Sequence, residues 1–154
     1  MAKVEAKLAE LGIVLPTPAA PVANYIPFVR TGSLLVVSGQ ICLGADGKLV
    51  AKGKLGDAVS IEDGQKAARA CAINVLAQVK AALGDLDKIV RVVRLGGFIN
   101  STPAFNDGPK VMNGASDLMV EVLGDKGRHA RSTVGVASLP ADAAVEVEGM
   151  FEVS

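Results

Sequence analysis

The sequence predicts an α+β domain in which a mixed β-sheet carries two main helices on one face. Three observations predict it. Two segments, one opening at Ser60 and one near Asp107, repeat their apolar residues at helical spacing. Runs rich in β-branched residues precede, separate and follow them. The resulting order is helix, strand, hairpin, long helix, strand, helix, strand, strand, and two helices on one sheet face is its economical packing. The other sheet face is then left for partners, and an apolar surface there has to be buried by oligomerisation.

The elements follow in chain order. Val4, Leu8 and Leu11 line one side of a short amphipathic helix that Gly12 stops. Pro16, Pro18 and Pro21 make the next stretch extended and irregular. Pro27 interrupts Tyr25–Arg30, so a strand there belongs at an edge. Leu34–Val37 is a continuous apolar run bounded by Gly32-Ser33 and Ser38-Gly39, a buried strand. Asp46-Gly47 marks a turn between Ile41–Leu43 and Leu49-Val50, consistent with a hairpin. Ser60 is the N-cap of the long helix, Asp63 its weaker capping-box partner, and Gly84 its end. Ile61, Ala68, Cys71, Val75, Val79 and Leu83 form its apolar stripe. Ile89–Asn100 reads as a strand whose Gly96-Gly97 pair marks a bulge or a close approach. Asp107 can cap a second helix with Val111, Met112, Ala115, Leu118, Met119 and Val122 inside and Gly124 at its stop. Strands at about Ser132–Leu139 and Ala144–Val153, joined by a turn at Pro140-Ala141-Asp142, complete the chain.

Its 154 residues suffice for one domain, 1–154, in which 1–20 form an N-terminal helix and Pro-rich extension. Hydrophobic residues make up 50%, mostly Ala and Val, with no Trp, one Tyr and four Phe. Side chains this small let helices and strands approach closely and leave part of the stability to a subunit interface. Sixteen basic and sixteen acidic residues cancel. That argues against a nucleic-acid binder, which needs a concentrated positive field and stacking platforms. Lys126, Arg128, His129 and Arg131 form the one local basic cluster and suit a single small anion. Cys42 and Cys71 fit no metal spacing and no disulfide framework, and Cys71 reads as an inert core thiol. The charged N-terminus lacks a signal-peptide core and no apolar stretch approaches membrane length, so a soluble cytoplasmic protein is expected.

Candidate chemistry is sparse. Gly44–Lys48 has the wrong spacing for a phosphate loop, and Val36–Gly39 lacks the leading Gly of a nucleophile elbow. His129 is the one histidine, so no multi-histidine metal site can form, and with no marked nucleophile it reads as a solvated loop residue. Glu146, Glu148 and Glu152 share one face of the last strand, opposite Val145, Val147 and Val153. That face is either simply solvated or presents one carboxylate to a site as a proton relay. Arg131 sits in Ala130-Arg131-Ser132 at the mouth of a strand. Its guanidinium offers a rigid fork of donors that matches a small carboxylate, as Lys cannot.

Together, Val37-Ser38-Gly39-Gln40-Ile41, Asn113, Ala130-Arg131-Ser132, Ala137-Ser138-Leu139-Pro140 and Val145-Glu146-Val147-Glu148 resemble the RidA/YjgF family of reactive-intermediate deaminases. The likeness runs from about Pro21 to Val153. It implies a chorismate-mutase-like fold and a homotrimer with three clefts between neighbouring subunits. Similar members hydrolyse enamines and imines of 2-keto acids, such as 2-aminoacrylate and its imine tautomer, to the keto acid and ammonia, without metal or organic cofactor. Carried over, Arg131 clamps the substrate carboxylate, assisted by the backbone N–H of Thr133. Glu146 orients or activates the water, with Glu148 as its rival for facing the cleft, while Asn113 and Ser38 line it.

The chain departs from that pattern at three places. Phe28 follows Pro27 where members usually carry a cleft Tyr, which removes a hydroxyl. Thr133 stands where many have Cys, and His129 where many have Pro. These point to a divergent subgroup with an N-terminal helix added. Two functions stand: an enamine/imine deaminase, or a non-catalytic trimer that binds keto acids or other small metabolites. A ribonuclease activity attributed to some relatives finds little support in a neutral chain.

Overall fold

The computed structural model describes residues 2–18 and 23–154; Pro21 lies outside them. The chain forms α1 (Lys3–Glu10), β1 (Phe28–Thr31), β2 (Leu34–Ile41), α2 (Ile61–Leu83), β3 (Ile89–Asn100), α3 (Gly108–Leu123), β4 (Ala130–Val136) and β5 (Val145–Val153). The five strands make one sheet in the order β1-β2-β5-β3-β4. All neighbours are antiparallel except β3 and β4, which run parallel with α3 as their crossover. The sheet is therefore mixed, as expected.

Alternation along β5 fixes the two faces. Val145, Val147, Phe151 and Val153 are buried under the helices, while Glu146, Glu148, Met150 and Glu152 look the other way. Small residues let the helices close on each other. A Cβ on Gly114 of α3 would lie 2.1 Å from the Gln65 carbonyl oxygen of α2, so only glycine fits there. Cys42 and Cys71 are both buried, their thiols donating to the Ala51 and Val145 carbonyls at 3.4 and 3.3 Å, and burial pushes the Cys71 thiol up. Among the described residues, no helix is long and apolar enough to cross a membrane.

Local signals hold well for α2. Ser60 Oγ accepts from the Asp63 N–H at 3.1 Å, and Gly84 ends the helix at φ 75°. α1 is capped from far away: Asp87 accepts the N–H groups of Lys3 and Val4 at 2.8 and 2.9 Å. Asp107 precedes α3 but makes no cap hydrogen bond. Its backbone (φ −98°, ψ 24°) is not extended, and its carboxylate pairs with Lys110 at 3.5 Å instead. The expected hairpin reduces to a single bridge, Leu43 with Leu49, around the Asp46-Gly47 turn. β4 ends at Val136 rather than Leu139, because its partner β3 ends at Asn100, the residue opposite.

Candidate functional site

Arg131 lies opposite Leu95 in the β3–β4 ladder, so its side chain rises on the helix face towards α3. There its Nη1 donates to Asn113 Oδ1 at 2.9 Å and Ser116 Oγ at 3.1 Å, and its Nη2 to the Pro109 carbonyl at 3.2 Å. Arginine has five N–H donors. Nη1 makes two of these hydrogen bonds and Nη2 one, so Nε–H and one Nη2 hydrogen have no partner among the described residues. A guanidinium edge built of Nε–H and Nη2–H matches the two oxygens of a carboxylate. The N-terminal half of α3 thus holds the guanidinium through Pro109, Asn113 and Ser116; the sequence named Asn113 only as a cleft residue and gave no sign of Ser116. Thr133 follows on the same face of β4, its Oγ1 buried without a hydrogen-bond partner among the described residues.

Glu146 sits elsewhere. It pairs with Ile41 of β2 and Phe98 of β3 and points to the face away from the helices. A Cβ on Gly39 would come within 2.9 Å of its Cδ, so Gly39 leaves the room its carboxyl occupies. Burial, then the charge of Glu148, pushes that carboxyl above the ordinary glutamate range. Glu148 is drawn to Arg94 at 3.8 Å. Of the two, Glu146 lines a groove of about 700 Å³ together with Tyr25, Pro27, Gly39, Gln40 and Gln78.

Two expected cleft residues are turned to other work. Phe28 stands opposite Val37 and packs against the core, so the aromatic ring in the groove is that of Tyr25, the lone tyrosine. Its only sequence signal is its place just before Pro27. Ser38 Oγ donates to the Ile26 carbonyl at 3.3 Å, fixing the approach to β1. His129 is not simply a solvated loop residue. It is half-buried, and its Nε2 meets Ser116 Oγ at 2.9 Å.

Arg131 and Glu146 lie on opposite faces, with β3 between their strands. Two strand spacings alone amount to roughly 10 Å. No small ligand can touch both within one chain. Among the described residues, no group of three or more His, Cys, Asp or Glu side chains could hold a metal ion.

A mixed sheet with helices on one face and an arginine held by the neighbouring helix at its edge strand defines a small α+β domain. The chain belongs to the YjgF family: the family model described as "YjgF/chorismate_mutase-like, putative endoribonuclease" matches residues 5–152. It is 50% identical to "Protein TCP17" of Trypanosoma cruzi, covering 99% of this chain and 95% of that one. It is 31% identical to a 2-iminobutanoate/2-iminopropanoate deaminase of Dermatophagoides farinae, covering 89% and 93% respectively. Among solved structures, the crystal structure of Atu1372 from Agrobacterium tumefaciens superposes with a TM-score of 0.91 at 49% identity, covering 99% of this chain and 94% of that one.

Proposed function

We propose that this protein hydrolyses enamines and imines of 2-keto acids to the keto acid and ammonia, in clefts that neighbouring copies of a homotrimer complete. The observation that carries the reading is the guanidinium of Arg131, tied at Nη1 to Asn113 and Ser116 and at Nη2 to Pro109, with Nε–H left to meet a carboxylate. The deaminase relative supplies the substrate class. Separation of Arg131 from Glu146 supports the trimer, since only a second copy can bring a Glu146 carboxyl to an Arg131 fork. Exposed Val29 and Val134 on the strands give that contact apolar surface, 50% and 51% exposed in the single chain.

In the reaction, Arg131 fixes the substrate carboxylate and so the imine carbon beside it. Glu146, ionised, takes a proton from water as the water oxygen bonds to that carbon, and passes it to the imine nitrogen to give the carbinolamine. Glu146 then takes the hydroxyl proton as the C=O bond forms and delivers it to the nitrogen, which leaves as ammonia. A carboxyl whose pKa is raised towards the working pH serves both steps better than an ordinary one. The imine carbon is already electrophilic, so positioning and one relay suffice.

A second reading, carboxylate binding without turnover, is favoured by the same separation of the two residues: a single chain holds the clamp without the relay. To decide, 2-aminoacrylate is generated in situ from serine by a lyase and its disappearance followed. Wild type accelerates decay, Arg131→Ala abolishes the effect, and Glu146→Gln lowers turnover about 100-fold or more while retaining pyruvate binding. Pyruvate binding without any acceleration by wild type selects the second reading.

A further inference from the structure

His129 Nδ1 faces the Gly127 carbonyl, which can only accept, so the ring hydrogen sits on Nδ1 and Nε2 of the neutral ring is an acceptor. Ser116 Oγ lies 2.9 Å from that Nε2 and 3.1 Å from Arg131 Nη1. Arg131 can only donate. The serine oxygen therefore accepts from Arg131, and its hydrogen goes to His129. Every donor in the row has its acceptor, and the row runs in one direction: Arg131 to Ser116, Ser116 to His129, His129 to the main chain. Both side chains are half-buried, where such hydrogen bonds hold direction better than in water.

We infer that Ser116 and His129 are positioning residues for Arg131. They hold Nη1 so that the guanidinium turns its Nε/Nη2 edge to the ligand. The inference rests on the reading of Arg131 as a carboxylate clamp. Neither residue touches the reacting atoms. His129 orients the hydroxyl of Ser116, and Ser116 with Asn113 uses up both hydrogens of Nη1. Without the serine, a freed Nη1 hydrogen competes for the ligand's oxygens and the guanidinium is free to rotate about its long side chain. Binding then weakens in ground state and transition state alike, a loss that appears in KM and leaves kcat alone.

The test measures turnover of 2-iminopropanoate generated in situ and calorimetric binding of pyruvate. The variants are Arg131→Ala, Ser116→Ala, Ser116→Thr, His129→Ala and His129→Gln. Ser116→Ala and His129→Ala are expected to raise KM and the pyruvate Kd about ten-fold, with kcat within two-fold. Ser116→Thr keeps the hydroxyl, and His129→Gln places an acceptor where Nε2 was; both recover most of the loss. Should the alanine variants unfold, Ser116→Thr against its isostere Ser116→Val asks the same question. If Arg131→Ala loses pyruvate while the Ser116 and His129 variants bind like wild type, the positioning role is wrong and the clamp stands. Equal losses in the conservative and truncating variants, accompanied by a lower Tm, also overturn it. If wild type neither turns over the imine nor binds pyruvate, the clamp reading falls and this inference with it.

Discussion

Gly114→Ala separates helix propensity from helix packing. In an exposed helix the change stabilises by about 1 kcal/mol, because alanine loses less backbone freedom than glycine. Here the new Cβ would sit 2.1 Å from the Gln65 carbonyl oxygen, 2.8 Å from its carbon and 3.0 Å from its Cα. All three are backbone atoms of α2, so no rotamer relieves the contact. The helices have to part by roughly 1 Å to restore van der Waals distance in a close-packed interior. Overpacking of this kind costs about 1–3 kcal/mol and sometimes more. An immovable backbone puts the cost at the upper end, for a net loss of about 2 kcal/mol. In a chain of this size that lowers Tm by roughly 4–8 °C. Thermal unfolding followed by circular dichroism, with urea titration for the free energy, reads it. Asn113 precedes the mutated residue, so the shift should also loosen Arg131 and raise KM. An unchanged or higher Tm would refute the packing argument and leave propensity in charge.

Other expectations follow from single contacts. Gly39→Ala brings a Cβ against the end of the Glu146 side chain, which can swing away. Stability should change by less than about 1 kcal/mol, while kcat falls ten-fold or more as the carboxyl is displaced; steady-state kinetics beside a melting curve shows both. The Glu146 carboxyl is raised from its ordinary 4.5, so the folded protein binds its proton more tightly than the unfolded chain does. Stability is therefore greatest below that ordinary value and declines as pH rises through the folded-state value. Glu146→Gln should melt above wild type at pH 7, with the gap closing at acid pH. Asp87 behaves oppositely. The N–H groups of Val4 and Lys3 hold its carboxyl below the ordinary 3.8, so its contribution is present above that value and lost as pH falls through the lower one. Asp87→Asn should destabilise α1 at pH 7 and matter little in strong acid, as melting curves across pH will show.

What the sequence revealed was what depends on neighbours along the chain. Ser60, Gly84 and the valine–glutamate alternation of β5 carry their structural meaning locally, and each forms as read. The hairpin at Asp46-Gly47 shows the limit. Its turn chemistry is sound, with Asp46 accepting from the Lys48 N–H at 3.0 Å, but only Leu43 and Leu49 pair across it. β4 stops early because β3 does, a fact about another strand. Phe28 turned out to face the core because the β1–β2 register sets it opposite Val37. In a strand this short, a slip of one residue would reverse that, and pattern alone cannot choose.

The site divides in the same way. Arg131 and Asn113 were legible through the family likeness, and the structure joins them directly. Ser116 and His129 are 13 residues apart, and only the parallel return of β4 beside α3 brings them together. A lone serine inside a helix pattern carries no signal of that meeting. Glu146 shared its face with Glu148 in the sequence. The Arg94 partner of one and the Gly39 hollow beside the other distinguish them.

In the proposed trimer, Arg131 of one copy works with Glu146 of the next. Co-refolding Arg131→Ala with Glu146→Gln, each defective alone, tests it most directly. In randomly mixed trimers, about a quarter of the clefts combine an intact arginine with an intact glutamate. Imine hydrolysis should then reappear in the mixture at roughly that fraction of the wild-type rate. A mixture that forms hybrid trimers yet stays as inactive as its components would contradict it.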